Sequence, residues 1–157
     1  MGKELLNGEL EFRYPDSFRM LSPEEKKKMT FLVSGPGEVF VSPDDHITIS
    51  IGWTKAGGIT SRLLNSYDLI KNSESKIKKA LKPSGYALEK IFSADIGGAP
   101  SDAVRYTYTS QGIGMVGETW CVKIVKNIYY FNFYYRQDLR EDSLEILREI
   151  RRSVDWV

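Results

Sequence analysis

The sequence predicts an α+β fold: a mainly antiparallel sheet of about six strands flanked by helices, an α/β/α sandwich. Three observations point there. Stretches that alternate apolar and polar residues follow one another through links too short for the crossover a parallel pair needs. The chain is rich in aromatic residues, with nine Tyr, seven Phe and three Trp, and flat rings suit a pleated, half-buried surface. Other stretches instead repeat apolar residues at three- and four-residue steps, the spacing of a helix with one buried face.

The first strand is Glu9 to Tyr14, where Leu10, Phe12 and Tyr14 alternate with Glu9, Glu11 and Arg13 before Pro15-Asp16-Ser17 ends the run. An extended piece covers Phe18 to Leu21. Ser22-Pro23-Glu24-Glu25 supplies a capping serine, a proline at the first helical position and a glutamate able to reach back to the cap, so a short helix runs to about Met29. Phe31 to Val33 and Glu38 to Val41 are brief apolar pieces separated by Gly35-Pro36-Gly37, and Ser42-Pro43-Asp44-Asp45 is a turn by composition. From His46 to Trp53 the residues Ile47, Ile49, Ile51 and Trp53 share one face, which is therefore core.

Thr60 to Leu81 is the longest predicted helix. Its inward stripe is Leu63, Tyr67, Ile70, Ile77 and Leu81, widened by Leu64, its lysine-rich side reads as solvated, and Pro83-Ser84-Gly85 stops it. Four strands follow. Tyr86 to Ile96 reaches the Gly97-Gly98 turn, Ala103 to Ser110 reaches Gln111-Gly112-Ile113-Gly114, and Met115 to Lys126 turns at Lys126-Asn127 into Ile128 to Tyr135. A last helix from about Asp142 to Val154 presents Leu144, Leu147, Ile150 and Val154 inward, with Arg151 and Arg152 complementing the dipole at its end.

Length and charge bound the partners. A chain of 157 residues reads as one domain, 1–157, able to bury a core without metal or disulfide staples. Its formal charge of +1 gives no field to draw it to nucleic acid or to an anionic membrane, so neither is an expected partner. Cys121, the single cysteine, has no partner for an internal disulfide and suits a reducing compartment. The opening residues carry no signal-like apolar run, Leu6 stands where a myristoylation motif wants Ser or Thr, and no Asn-x-Ser/Thr sequon occurs. The expected location is the cytoplasm.

Four features invite a chemical reading, and each has a plainer one. Gly112, Gly114 and Gly117 match G-x-G-x-x-G, but the alternation of Trp120, Val122 and Ile124 after them opens a strand, where a dinucleotide site needs a helix. His46, the only histidine, lies beside Asp44 and Asp45, yet the chain has no second His or Cys to complete a metal site. Cys121 with His46 would make a nucleophile and base, but Cys121 sits between Trp120 and Val122 as a small apolar side chain would. Tyr129 to Tyr135 bears aromatics on both faces, the mark of a central strand covered on each side or, in the functional reading, of an aromatic ligand groove. No catalytic residue, cofactor or metal is expected.

The whole pattern resembles the PsbP-like superfamily, which includes a nuclear-import factor that binds the GTPase Ran and many small bacterial proteins of unknown function. The resemblance spans nearly the full chain. It rests on Phe12-Arg13-Tyr14-Pro15 followed by Phe18, on the Ile47 to Trp53 strand before a long helix, on the Tyr129 to Tyr135 strand, and on the closing Ile150-Arg151-Arg152-Ser153-Val154. It implies an antiparallel sheet flanked by helices, a binding or assembly role, and no catalytic residues to carry over. The leading expectation is a non-enzymatic protein-binding or adaptor domain whose partner is another protein, with no residue assigned to the partner surface. Two alternatives stand beside it: a small-molecule pocket or enzyme site beside the aromatic strand, and a homodimeric, chaperone-like adaptor.

Overall fold

The aromatic run becomes the middle strand of a seven-stranded sheet. The computed structural model describes residues 1–29, 35–56 and 65–157. Its strands are β1 (Gly2–Leu6), β2 (Leu10–Tyr14), β3 (Arg19–Met20), β4 (Gly37–Ser42), β5 (Ile47–Lys55), β6 (Ala87–Ile96), β7 (Ala99–Ser110), β8 (Ile113–Ile124), β9 (Asn127–Arg136) and β10 (Asp155–Trp156). The helices are α1 (Pro23–Lys27), α2 (Ser66–Leu81) and α3 (Arg140–Arg152), with single 3₁₀ turns at Lys82–Ser84 and Gln137–Leu139. The large sheet has the order β3-β4-β5-β9-β8-β7-β6, and a second, three-stranded sheet has the order β1-β2-β10. Every pairing among the described residues is antiparallel. The expected α+β class holds, with seven strands in the main sheet in place of about six and an additional small sheet.

Because side chains alternate across a strand, β9 divides its aromatics between two layers. Tyr129, Phe131, Phe133 and Tyr135 point into the main core with Ile47, Ile49, Ile51, Val116, Trp120 and Val122, and α3 covers this face with Leu147 and Ile150, joined by Val154 just past its end. The small sheet closes the same core with Leu6, Leu10 and Phe12. On the opposite face, Ile70 of α2 packs with Val104, Cys121 and Ile128, and Tyr130 lies against them. Covered faces on both sides of β9 match the central-strand reading.

Several local expectations need correction. β1 was not foreseen: Gly2 to Leu6 has no alternating apolar pattern, yet it pairs along the whole of β2 through the turn at Asn7 and Gly8, whose φ values are +51° and +66°. The turn expected at Lys126-Asn127 lies one residue earlier. Val125 takes φ +48°, while Asn127 joins β9 and its side-chain amide bonds Glu9. Tyr67 was placed on the inward stripe of the long helix but is 46% exposed, since Ile70 and Leu69 make the contact and the Ser66 hydroxyl is tied to Asp102. The predicted piece Phe31 to Val33 and the helical residues Thr60 to Leu64 lie outside the described residues. Ser22, Pro23 and Glu25 behave as expected: both bonds of the capping box form.

Candidate functional site

The inward residues of α3 leave a flank on which Arg148, Arg151 and Arg152, spaced three and four apart, gather on one side of the helix. Opposite them is the β6–β7 turn. Gly97 and Gly98 both have positive φ, +56° and +80°, the geometry of a two-residue hairpin turn that follows the sheet's twist. The turn is fixed to the end of α3. The Gly97 amide donates to the Arg151 carbonyl at 2.9 Å, and Trp156 Nε1 of β10 donates to the Ile96 carbonyl at 2.9 Å. Gly97 is required by contact as well as by φ, because a Cβ there would stand 2.3 Å from the Val154 carbonyl oxygen.

Between turn and helix is an open cleft of about 400 Å³, walled by Ala94, Asp95, Gly97 and Gly98 on one side and by Arg148, Arg151 and Arg152 on the other. Arg152 has a loose, exposed pairing with Glu149 at 3.7 Å. Among the described residues, neither Arg148 nor Arg151 pairs with a carboxylate. Three arginines thus line the cleft together with one acidic residue, Asp95.

Arg151 is the best positioned of the three. Its guanidinium carbon lies 4.4 Å from the centroid of the Trp120 ring, and Trp120 is itself buried. The ring is locked from behind: Trp120 Nε1 donates to Glu118 Oε1 at 2.8 Å, while Arg105 Nε and the Tyr135 hydroxyl donate to Glu118 Oε2. Arg105 and Arg140 both pair with Glu89, extending the network to the start of α3. Burial lowers the Arg151 pKa from its ordinary value; Glu118 acts in the opposite sense, and nearby Arg105 and Arg148 add to the lowering. A part-buried cation with cationic neighbours and no contacting carboxylate is a site whose energy falls when an anion arrives.

The residues singled out by the sequence fall elsewhere. His46 is exposed in the turn between β4 and β5, with φ +55°. Cys121 is buried opposite Tyr130, which pairs onward with Gly52, far along β5 from His46, so nucleophile and base are not brought together. Burial pushes the Cys121 thiol up to about 12. Gly112 lies in the β7–β8 turn and Gly114 and Gly117 lie within β8, so the glycine motif opens a strand. Gly117 instead makes room for the Tyr106 ring, whose atoms a Cβ would meet at 2.4 Å. The alternative of a ligand groove beside Tyr129 to Tyr135 meets core side chains on one face, and the cleft opens at the edge strand β6, away from central β9. Among the described residues, no group of three or more His, Cys, Asp and Glu is placed to hold a metal ion. The arginine spacing is visible in sequence, but only Arg151 and Arg152 carry a reading there, as complements to the helix dipole.

No family model matches the chain, and no curated protein matches it. Solved structures do. LpqN, involved in cell envelope biogenesis of Mycobacterium tuberculosis, superposes with a TM-score of 0.64 at 16% identity over 94% of this chain and 83% of its own. The cyanobacterial PsbP of Synechocystis gives 0.64 at 12% identity, over 94% and 86%. The Ran-binding protein Mog1p of Saccharomyces cerevisiae gives 0.60 at 11% identity, over 99% and 95%. No helix among the described residues is long and apolar enough to cross a membrane. With an antiparallel sheet covered on both faces and these likenesses along nearly its whole length, the chain has the PsbP-like fold.

Proposed function

We propose that this chain is a cytoplasmic, non-enzymatic protein-binding domain of the adaptor kind. The observation that carries the reading is the outer edge of β6, unpaired among the described residues, beside the arginine cleft. β6 ends the large sheet, its residues from Ala87 to Lys90 and from Ser93 to Asp95 are exposed, and an edge strand offers unpaired backbone donors and acceptors to another chain. Mog1p, similar in fold, is a Ran-binding protein, which supports a protein partner at the level of fold only. The non-enzymatic part rests on the separation of His46 from Cys121 and on a thiol held protonated by burial. The cytoplasmic part rests on the single free thiol.

The test is an affinity pull-down of the tagged protein from its own source lysate, read by quantitative mass spectrometry against an unrelated bait of similar size. A stoichiometric protein competed away by untagged chain is the expected result. A reproducible turnover activity abolished by replacing one polar side chain would overturn it.

A further inference from the structure

The two halves of β6 are unequal. A bulge between Leu88 and Lys90 interrupts the first half, and Glu89 there is held by Arg105 and Arg140. Bulges and charges are the usual guards of an edge against pairing. From Ile91 to Ile96 the register is regular, and this half runs into the cleft wall at Ala94 and Asp95. A regular edge, exposed from Ser93 to Asp95, therefore lies beside three arginines, two of which lack a carboxylate partner among the described residues.

We propose that the cleft receives the carboxylates of an extended acidic segment of the partner protein, which pairs its backbone with the Ile91 to Ile96 edge. The proposal rests on the protein-binding reading and names the partner's chemistry. Charge complementarity selects acid: the lining carries three guanidinium groups against Asp95 alone. Geometry selects an extended chain. Acidic side chains two residues apart on a strand stand ~6.7 Å apart on one face, close to the ~6 Å rise that separates Arg148 from Arg152 one turn along α3. Arg151, its guanidinium carbon 4.4 Å from the Trp120 ring centroid, offers a planar fork of donors from a packed position.

The experiment titrates the intact protein with a short fluorescent peptide alternating Glu and Val, with its Gln–Val counterpart and with a single-stranded oligonucleotide, all read by anisotropy. The expected result is binding of the Glu peptide, weakened by raised salt, absent for the Gln peptide, and reduced by about tenfold or more in Arg148→Gln combined with Arg151→Gln. Backbone amides between Ile91 and Ile96 gain hydrogen-exchange protection in the complex. Arg148→Gln alone changes an exposed side chain and leaves folding untouched, so its own loss of affinity guards against a misfolded double variant. No binding of the Glu peptide, equal binding of the Gln peptide, affinity unchanged by the arginine substitutions, or an oligonucleotide that binds more tightly through the same arginines would each sink the proposal. A pull-down partner captured equally well by the double variant leaves the protein-binding reading standing and removes the acidic cleft from it. A bound Glu peptide with no captured partner supports the cleft and counts against the adaptor role.

Discussion

The carboxylate of Glu118 has no solvent exposure and accepts a bond from Arg105 Nε at 3.0 Å. The same carboxylate holds Trp120 and Tyr135, so one buried charge orients the ring on which Arg151 lies. Removing it leaves an indole N–H and a phenol without their acceptor and Arg105 with only the longer pairing to Glu89. Glu118→Ala is expected to cost about 3–5 kcal/mol, the range for breaking one side of a buried pair. Urea unfolding measures it, and a loss below ~1 kcal/mol would show that the network relaxes around the gap.

Alkaline pH acts through the tyrosines. Burial first, with Glu74, Glu9 and the Cys121 thiol respectively second, pushes Tyr86, Tyr129 and Tyr130 up to about 12; burial alone does the same to Tyr108, and Tyr106, Tyr134 and Tyr135 are raised further. A phenol raised in the folded state keeps its proton there while the unfolded chain loses it near the ordinary value of 10.0. Stability is then fully present below pH ~10 and falls as pH rises through the folded values. Tyrosinate absorbance and circular dichroism followed together should show most of these phenols ionising with unfolding. Their ionisation near pH 10 in a protein that stays folded would contradict the burial assigned to them.

The parts of the fold legible in sequence are those fixed by local pattern. Ser22, Pro23 and Glu25 announce α1 because capping chemistry is contained in four residues. The alternation of Ile47, Ile49 and Ile51 and the double-faced aromatics of β9 reveal buried strands because burial on each face leaves its own period. β1 escaped because only Leu6 of its five residues is buried, although Asn7-Gly8 was a hairpin signal in plain view. The cleft escaped for another reason. Arg148, Arg151 and Arg152 acquire meaning only when Gly97-Gly98, distant in sequence, is tied to the helix end by the Arg151 carbonyl and Trp156.

Cys121 is expected to be chemically silent in the folded protein. It lies at zero exposure among Ile70, Val104 and Ile128, and burial holds the thiol protonated up to about 12, so the reactive thiolate is scarce at neutral pH. Labelling by an aromatic disulfide reagent should be slow in buffer and rapid in denaturant, tracking the unfolding transition. Fast native labelling at neutral pH would mean that α2 does not cover the sheet as described.

The turn that closes the cleft offers a comparison of two adjacent glycines. Gly97 and Gly98 share a positive φ, so alanine at either carries the left-handed backbone cost of about 1–2 kcal/mol. Only Gly97 adds a collision: its Cβ would lie 2.3 Å from the Val154 carbonyl oxygen, a backbone atom that cannot rotate away, whereas nothing lies within 4 Å of a Cβ at Gly98. Gly97→Ala must therefore push the turn off the end of α3, straining the Gly97 amide bond to Arg151 and the Trp156 bond to Ile96. Thermal unfolding should place Gly97→Ala clearly below Gly98→Ala, and hydrogen exchange at the Gly98 and Ala99 amides should rise in a Gly97→Ser variant as well, since Ser places the same Cβ. Equal midpoints for the two alanine variants would show that the turn and the helix end are not held in contact, and the cleft would lose the wall that defines it.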